Sequence, residues 1–378
     1  MLTPNADFGP KEHVRQVFKN SVNLKFVGFS NINATIISPD HDIISMNLEQ
    51  IPTTILKNLV FQIYSTAFII KSKTKSKDFV VLIRQSIGFF LPTLLCKILK
   101  IPVVVEVNGV FFQDLLDKDR GKLLQFINKM TESCTYRWSN SIIVVHENIK
   151  KVLISLYSVP MKKIVTIENG AEYRKWISAS DAKIRNNIND GCFRIGYLGD
   201  LSYRQGIDII LQVIKKLRAE KVKFIFVGGT STEVYNVREK IKQLDLSKLV
   251  EIFEFMPKED ALQIMETCDA FIHLRRRINI AKTDIEGSPL KMMDYHSVGR
   301  PVIASRSPSY QYIEEKQFGV LVEIDNEFDI IKGIKTVMND KEKWQYLAKN
   351  SNNYIRNEKN WKKTVESVEH ELFKVISV

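Results

Sequence analysis

A helix start beside two carboxylates is the clearest chemical feature of residues 284–305. Ser288 is a favourable N-cap residue and Pro289 suits the first helical position, so the sequence predicts a helix that begins there. The backbone N–H groups of Leu290 and Lys291 then lack acceptors within the helix, and the positive end of the helix dipole adds to their attraction for anions. We therefore predict that a phosphate binds at this helix start.

Two acidic side chains flank the predicted phosphate site. Glu286 lies just before the helix and Asp294 lies within it, so both carboxylates could face sugar hydroxyls beside the phosphate. A simpler interpretation is a solvated acid before the helix and a surface ion pair between Asp294 and Lys291, one turn apart. Gly299-Arg-Pro301 then stops the helix, and the apolar run after it predicts a buried parallel strand.

This segment resembles glycosyltransferase family 4, whose members are retaining enzymes of the GT-B fold. Glu286 and Asp294 have the spacing of the family's E-x7-E motif, and residues 288–291 and 299–304 resemble its pattern. The resemblance implies that Asp294 binds the ribose hydroxyls of a nucleotide sugar and that Glu286 holds the transferred hexose. The donor-binding residues that it implies at the helix start are Gly287, Ser288, Pro289, Leu290 and Lys291.

A second glycine-containing loop lies in residues 196–208. It is predicted as a strand, a glycine loop and a helix start, which would present backbone N–H groups to a diphosphate. It resembles the family's G-x-L-x-x-x-K-G-x-D segment, whose basic side chains neutralise the leaving nucleoside diphosphate, and Gly199 lies in this loop. Asp200 and Gln205 stand where Arg and Lys are common. We predict that Arg204 supplies the missing positive charge, with Lys291 and the arginines at 275–277 as the alternatives.

Further substrate-binding positions follow from the same resemblance. Phe8 replaces the first glycine of the family's Gly-Gly-x-x-x-His loop. Asn108 stands at a strand end that carries a histidine in many members; asparagine can hydrogen-bond a hydroxyl but cannot titrate near neutral pH. Residues 255–257 resemble the backbone segment that reads the base. The substrate-binding residues implied here are Gly9, His13, Asn108, Phe255 and Pro257.

Short Val- and Ile-rich runs alternate with helical segments along the chain, which predicts an α/β fold with parallel sheets. At 378 residues the chain is long enough for two domains. The resemblance implies a GT-B architecture, with two Rossmann-like domains whose parallel sheets face each other across a cleft. The expected parts are an N-terminal acceptor-side domain at 1–178, a linker at 179–192, a C-terminal donor domain at 193–355, and a C-terminal helix at 356–378 that packs back on the first domain.

The formal charge is +12, of which residues 1–178 contribute +9, with 23 Lys and Arg against 14 Asp and Glu. A basic first half indicates an anionic partner, such as a membrane surface, a phosphorylated acceptor or a nucleic acid. The four cysteines have no C-x-x-C spacing, which indicates reduced thiols in a cytoplasmic protein and no zinc site. We find no signal-peptide pattern and no apolar run of transmembrane length.

The stretch Thr53–Lys77 is a candidate membrane contact. The pattern predicts a helix over 53–70 that ends in a run of alternating lysines at 71–77, a composition typical of interfacial membrane segments. An ordinary packing helix followed by a solvated loop explains the same pattern, and both interpretations stay open. The membrane interpretation would place the protein on the inner face of the membrane. The predicted apolar face of the helix consists of Ile55, Leu56, Leu59, Val60, Ile63 and Ala67.

The combined prediction is retaining transfer of a hexose from a UDP- or GDP-linked sugar to a glycan or lipid-linked acceptor in surface polysaccharide or glycoconjugate synthesis. Glu286 would stabilise an oxocarbenium-like state, and no metal or cofactor is expected, because the D-x-D patterns at 40–42 and 117–119 lack a preceding buried strand. The departures at Phe8, Asn108, Asp200 and Gln205 raise the alternative of a GT-B pseudoenzyme that binds nucleotide sugar without transfer. A nucleic-acid binder is disfavoured, because no aromatic residues are interleaved with the lysines of 71–77.

Overall fold

The structure is a computed structural model that describes residues 1–3, 8–30, 42–45, 48, 51, 53–75, 79–111, 121–276 and 290–377. It divides the chain into two compact units. Within the described residues, the first unit comprises 1–170 and 361–377, and the second comprises 171–276 and 290–360.

Parallel strands form one sheet in each unit. The strands are β1 (Leu2–Thr3), β2 (Val27–Ser30), β3 (Asp42–Ser45), β4 (Val81–Arg84), β5 (Val103–Val107), β6 (Ser141–Val144), β7 (Ile164–Thr166), β8 (Phe193–Leu198), β9 (Val222–Val227), β10 (Val250–Phe253), β11 (Ala270–His273), β12 (Val302–Ser305) and β13 (Gly319–Val322).

Helices connect most of these strands. They are α1 (Phe8–Asn20), α2 (Thr54–Lys75), α3 (Leu91–Leu99), α4 (Lys122–Trp138), α5 (Glu147–Tyr157), α6 (Ala179–Arg185), α7 (Ile207–Lys216), α8 (Ser231–Gln243), α9 (Lys258–Glu266), α10 (Leu290–Val298), α11 (Gln311–Glu315), α12 (Glu327–Asn339), α13 (Lys341–Asn357) and α14 (Trp361–Ile376).

The sheet of the first unit has the described strand order β3-β2-β1-β4-β5-β6-β7. Every residue of β4, β5 and β6 is buried, as expected for parallel strands that helices cover on both faces. This double burial explains why these strands are nearly continuous runs of Val and Ile.

Helix α1 begins at Phe8, so Gly9 and His13 lie on a helix and not in a loop of the family's Gly-Gly-x-x-x-His type. Pro10 is compatible with this start, because proline is tolerated in the first helical turn, where its missing N–H has no intrahelical partner. His13 consequently points from the second turn of α1.

The last helix, α14, belongs to the first unit. Its Val368 and Leu372 share a core cluster with Phe18 of α1. The buried Glu369 carboxylate accepts hydrogen bonds from the Ser21 hydroxyl and from the backbone N–H groups of residues 22–24. These contacts fix the C-terminal helix against the segment that follows α1.

Helix α2 is longer than predicted. It runs to Lys75, so most of the basic run is helical and not a loop. Phe61 and Ile69 face the core, where Phe61 packs on Phe89 with ring centroids 5.8 Å apart. Leu56, Leu59 and Ile63 of the predicted apolar face are exposed. Apolar residues thus lie on more than one face of α2, and the aromatic Phe61 packs inward.

The sheet of the second unit has the described order β10-β9-β8-β11-β12-β13. Helix α7 begins at Ile207 as predicted, and Ile207, Ile210 and Ile214 are among its buried residues. The strands of this sheet are all parallel, so their C-terminal ends lie along the same edge, which we call the carboxyl edge.

The region expected to be a linker, 179–192, contains helix α6. Ser178 caps this helix by accepting a hydrogen bond from the Asp181 N–H, and Ala179 and Ala182 are buried. Lys183 also donates to the buried Asp269 carboxylate at 2.6 Å. The polar composition of the region therefore reflects a capped, ion-paired helix of the second unit.

Candidate active site

The predicted donor residues Gly199 and Lys291 lie at the carboxyl edge of the second sheet, which is where open α/β sheets bind nucleotides. Gly199 and Asp200 directly follow β8, and α10 is described from Leu290 onward. The predicted residues Glu286, Gly287, Ser288 and Pro289 lie outside the described residues. The structure therefore describes the body of the predicted phosphate-binding helix but not its cap.

Lys291, in the first turn of α10, reaches back to the end of β8. Its Nζ donates to Tyr197 Oη at 3.2 Å and to Gln205 Oε1 at 3.1 Å. A Cβ placed on Gly199 would lie 2.6 Å from this Nζ, and Gly199 has a φ of +131°, so only glycine allows the close approach. Burial lowers the pKa of Lys291 to about 8, an effect that Asp200 opposes and Arg275 reinforces.

The two positions that depart from the family pattern hold this lysine in place. Gln205 Nε2 donates to Asp200 Oδ2 at 2.9 Å, while Gln205 Oε1 accepts from Lys291. Tyr197 in turn donates to the Asp200 carbonyl oxygen at 2.5 Å. The glycine loop therefore lacks the usual basic residues at these two positions, yet it orients a cation from another helix.

Arg204, which was predicted to supply the missing charge, lies in the short 3-10 turn 203–205 before α7. Its carbonyl oxygen accepts from the Arg276 N–H at 2.9 Å. Gly206 follows with a φ of +66°, and a Cβ there would lie 2.5 Å from the Leu274 carbonyl oxygen. The turn is thus tightly packed against the end of β11, and it directs the chain into the start of α7.

Asp294, the second acid of the predicted motif, is 8% exposed. Its Oδ1 lies 2.8 Å from Nζ of Lys258, the first residue of α9. Pro257 is the N-cap residue of that helix, and Phe255 is exposed just before it. The Lys258–Asp294 ion pair therefore links the segment predicted to read the base with the carboxylate predicted to bind ribose. Sequence reasoning missed Lys258, although its position directly after Pro257 was a usable signal.

Two buried histidines near this edge are unsuited to acid–base chemistry. His273 Nε2 lies 3.0 Å from Tyr310 Oη, and burial, followed by the charges of Lys291 and Arg275, lowers its pKa well below the usual value. His296 on α10 is buried as well, which lowers its pKa to about 3. Both imidazoles are therefore neutral at physiological pH.

In the first unit, the predicted residues His13 and Asn108 meet in a buried network. His13 is 3% exposed, its ring packs edge-on against Trp361 at 5.3 Å, and its Nδ1 lies 3.1 Å from Asn169 Oδ1. Its Nε2 lies 2.9 Å from a Glu106 carboxylate oxygen, and Asn108 Nδ2 donates to the other at 2.5 Å. Sequence reasoning missed Glu106, a charged residue within an otherwise apolar strand.

The described part of the chain contains no group of three or more His, Cys, Asp or Glu side chains arranged to bind a metal ion. The D-x-D patterns fall largely outside this part, since residues 40, 41 and 117–119 are not described. None of its helices is long and apolar enough to cross a bilayer.

Comparison with known proteins identifies the class of this fold. HepE of Anabaena, solved in complex with UDP, aligns with a TM-score of 0.74 over 99% of this chain and 98% of HepE, at 15% identity. WaaG, a glycosyltransferase involved in lipopolysaccharide biosynthesis, aligns with a TM-score of 0.71 over 98% of this chain and 99% of WaaG, at 12% identity. These alignments and the two parallel sheets confirm a GT-B fold built from Rossmann-like domains.

Family models cover most of the chain. Residues 179–354 match the model of "Glycosyl transferases group 1" and residues 46–174 match that of "Glycosyltransferase Family 4". The chain therefore belongs to the GT-B glycosyltransferases of the family 4 type, as its motifs had indicated.

Curated relatives are distant. The O-antigen biosynthesis glycosyltransferase WclY of Escherichia coli is 23% identical over 221 residues, which are 57% of this chain and 58% of WclY. The Escherichia coli UDP-Gal:alpha-D-GlcNAc-diphosphoundecaprenol alpha-1,3-galactosyltransferase is 23% identical over 322 residues, 82% of this chain and 79% of that enzyme. The match thus spans less than two thirds of WclY.

Proposed function

We propose that this protein transfers a hexose from a UDP- or GDP-linked sugar to a glycan or lipid-linked acceptor, with retention of anomeric configuration. The observation that carries the proposal is the Lys291 ammonium held against Gly199 at the carboxyl edge of the second sheet. A positive charge beside a glycine turn suits a nucleoside diphosphate leaving group. Because WclY acts in O-antigen biosynthesis, we propose surface polysaccharide or glycoconjugate synthesis as the process.

In this scheme each described donor residue has a separate task. Lys291 neutralises the diphosphate, and one well-aimed positive donor contributes roughly 3 kcal/mol to such a transition state. Asp294 accepts hydrogen bonds from the ribose hydroxyls, and Lys258 holds its carboxylate in place. Glu286 stabilises positive charge on the reacting sugar. The scheme requires neither a metal ion nor an organic cofactor.

Mass spectrometry of a nucleotide-sugar panel tests the activity directly. Purified protein should release free hexose and UDP or GDP from at least one donor of the panel, and the rate should persist in EDTA. A dependence on added divalent cation would contradict the metal-independent scheme. Donor binding without conversion across the whole panel and a broad acceptor screen would support a GT-B pseudoenzyme instead.

The stereochemistry has its own test. With an α-linked donor such as UDP-glucose or GDP-mannose, proton NMR recorded before mutarotation distinguishes the two anomers of the released hexose. Retention predicts that the α-anomer appears first. Initial release of the β-anomer would exclude the retaining mechanism while leaving glycosyl transfer intact.

We further propose that the protein attaches reversibly to anionic membrane surfaces through α2. Leu56, Leu59 and Ile63 are exposed on one face of this helix, with Ile63 54% exposed. Lys71, Lys73 and Lys75 are exposed in its last turns. An apolar helical face that ends in lysines fits the boundary between headgroups and acyl chains, and each lysine adds about 1 kcal/mol near an anionic surface.

A second exposed apolar helix face in the first unit supports the same membrane attachment. Helix α4 exposes Leu123, Phe126, Ile127 and Met130, which recur at the spacing of one helical face. The Gly88 backbone N–H donates to Asn128 of α4 at 2.9 Å, and Gln62 of α2 donates to the Gly88 carbonyl oxygen at 3.1 Å. Both helices therefore meet at the same turn of the first unit, so the two apolar faces could contact one membrane surface.

Vesicle sedimentation tests this attachment. Replacing Lys71, Lys73, Lys75 and Lys77 by Gln should release the protein from anionic vesicles without changing donor hydrolysis; Lys77 lies outside the described residues. The same change at Lys215, Lys216, Lys240 and Lys242, exposed lysines of the second unit, is the matched control and should leave binding intact. Wild-type binding should weaken as salt rises. Failure of the wild type to bind at low ionic strength would refute the attachment.

A further inference from the structure

Polar side chains of three elements meet around the Glu106 carboxylate in the first unit. Glu106 is 1% exposed within β5, and Arg84, the last residue of β4, is buried beside it. These residues are partners in the parallel register of the two strands, so their side chains leave the sheet on the same face. Arg84 Nη1 donates to Glu106 Oε1 at 2.5 Å, and His13 Nε2 lies 2.9 Å from Oε2.

Stability alone does not explain this cluster. A buried ion pair usually contributes little compared with well-packed apolar side chains, because both charges lose their hydration. The remaining residues of β4 and β5 are Val, Leu and Ile, which would also suit positions 84 and 106. The charged pair therefore interrupts an apolar core near the C-terminal ends of β4 and β5 in the first sheet, and binding residues of α/β proteins lie at such strand ends.

The carboxylate of Glu106 can only accept hydrogen bonds. Burial raises its pKa, but the charges of His13 and Arg84 and hydrogen bonds from His13 and Asn108 outweigh burial and lower the pKa to about 2. Glu106 is therefore ionised throughout the physiological range. An ionised carboxylate has no proton to donate, so a neighbouring amide must turn its NH2 group toward it.

This constraint decides which end of the Asn108 amide is left to contact a ligand. Asn108 Nδ2 donates to Glu106 Oε1 at 2.5 Å, so its carbonyl oxygen Oδ1 lies on the opposite branch of the side chain. Asn108 is only half-buried, and for its Oδ1 the described part of the chain supplies no hydrogen-bond donor. A Cβ placed on the next residue, Gly109, would meet no atom within 4 Å, so the chain borders open space there.

We propose that Glu106, itself held by Arg84, is a positioning residue that presents the Asn108 carbonyl oxygen as an acceptor for one hydroxyl of the substrate. The inference rests on the proposed glycosyl transfer and adds a specificity rule to it. One sugar hydroxyl must therefore donate a hydrogen bond to the side chain at position 108. A histidine at that position could switch between donor and acceptor, whereas this asparagine is committed to accepting.

Deoxyfluoro analogues of the sugar donor and of the sugar acceptor test the rule, because fluorine in place of a hydroxyl cannot donate a hydrogen bond. In the wild type, fluorine at one ring position should lower kcat/KM by at least about tenfold more than it does in Asn108→Ala, because only the wild type loses a hydrogen bond. The intrinsic effect of fluorine on the reaction is common to all variants, so the ratio between variants isolates the contact.

The decisive variant is the double substitution Arg84→Leu with Glu106→Leu, which removes both charges together and leaves no carboxylate for the Asn108 amide to donate to. The amide is then free to turn, so the fall in kcat/KM caused by that analogue should shrink toward the Asn108→Ala value. Glu369→Gln is the matched control, because Glu369 is also buried and accepts several hydrogen bonds in the same unit, far from Asn108 in sequence. Glu369→Gln should lower thermal stability but show the same fall in kcat/KM with the deoxyfluoro analogue as the wild type.

Two further measurements keep the inference testable if the first variant does not fold or if no donor is turned over. Glu106→Asp retains the negative charge for Arg84 but is one methylene shorter, so it should lose the Asn108 contact and show the reduced penalty. Independently of activity, the side-chain NH2 signals of Asn108 in 1H–15N spectra should shift in the double variant Arg84→Leu with Glu106→Leu and stay unchanged in Glu369→Gln. A wild-type penalty that persists in both Glu106 variants, or unshifted Asn108 signals, would overturn the inference. A wild type without any turnover would instead refute the proposed function.

Discussion

The lowered pKa of Lys291 predicts how the affinity for a nucleoside diphosphate changes with pH. Its pKa is lowered to about 8, mainly by burial, and a bound diphosphate should raise it again because the two charges attract each other. Binding at alkaline pH therefore requires uptake of a proton, so affinity should fall as pH rises through 8. With this pKa the protonated fraction is about 0.9 at pH 7 and about 0.1 at pH 9, which predicts a roughly tenfold weaker Kd for UDP at pH 9.

Isothermal titration calorimetry with UDP and uridine at both pH values measures this effect. Uridine shares the titration of the uracil ring but lacks the diphosphate, so the ratio of the two Kd values isolates Lys291. In Lys291→Met the affinity for UDP should be lower at pH 7 and the ratio should no longer depend on pH. A ratio that stays constant in the wild type, or an unchanged slope in Lys291→Met, would refute the assignment of this lysine to the diphosphate.

Two further predictions concern the glycine loop. Arg204→Ala should weaken UDP binding more than uridine binding if its guanidinium also faces the diphosphate, and an equal loss for both ligands in calorimetry would exclude that role. Gly206→Ala should lower the free energy of unfolding by about 1–3 kcal/mol, because the residue has a φ of +66° and its Cβ would lie 2.5 Å from the Leu274 carbonyl oxygen. Gly109→Ala, whose Cβ meets open space, is the control in thermal denaturation, and equal loss of stability in both variants would contradict the strain argument.

The strands could be predicted from the sequence for a simple physical reason. Parallel strands covered on both faces are mostly apolar, so β5 and β12 appear as short runs rich in Val and Ile. Helix orientation was harder to predict. Helix α2 has apolar residues around much of its circumference, and only packing against Phe89 decides that Phe61 faces inward and Ile63 outward.

The candidate site was predictable where it follows local backbone rules and unpredictable where it depends on distant pairs. The glycine loop at 196–208 was recognisable from the spacing of its glycines, and in the structure Gly199 and Gly206 have positive φ. The role of Gln205 in holding Lys291 depends on residues 86 positions apart, and the contact of His13 with Asn169 on residues 156 apart. Sequence spacing carries no information on such contacts, because the topology of the sheets creates them.

The position of Lys258 illustrates the same limit. Asp294 was expected either to bind ribose or to pair with Lys291 on the helix surface. The structure pairs it with Lys258 of α9, while Lys291 turns toward Tyr197 and Gln205. Helical spacing allowed the Asp294–Lys291 pair, but the burial of α10 against its neighbours selected other partners for both side chains.

In the proposed function, a hexose reacts beside Glu286. Steady-state kinetics of Glu286→Gln with the donor identified in the panel tests it most directly, with circular dichroism to verify the fold and calorimetry to measure UDP binding. Removing a charge that faces the reacting sugar should lower kcat/KM by at least about tenfold and leave the Kd for UDP unchanged. A variant with wild-type kcat/KM would contradict the claim.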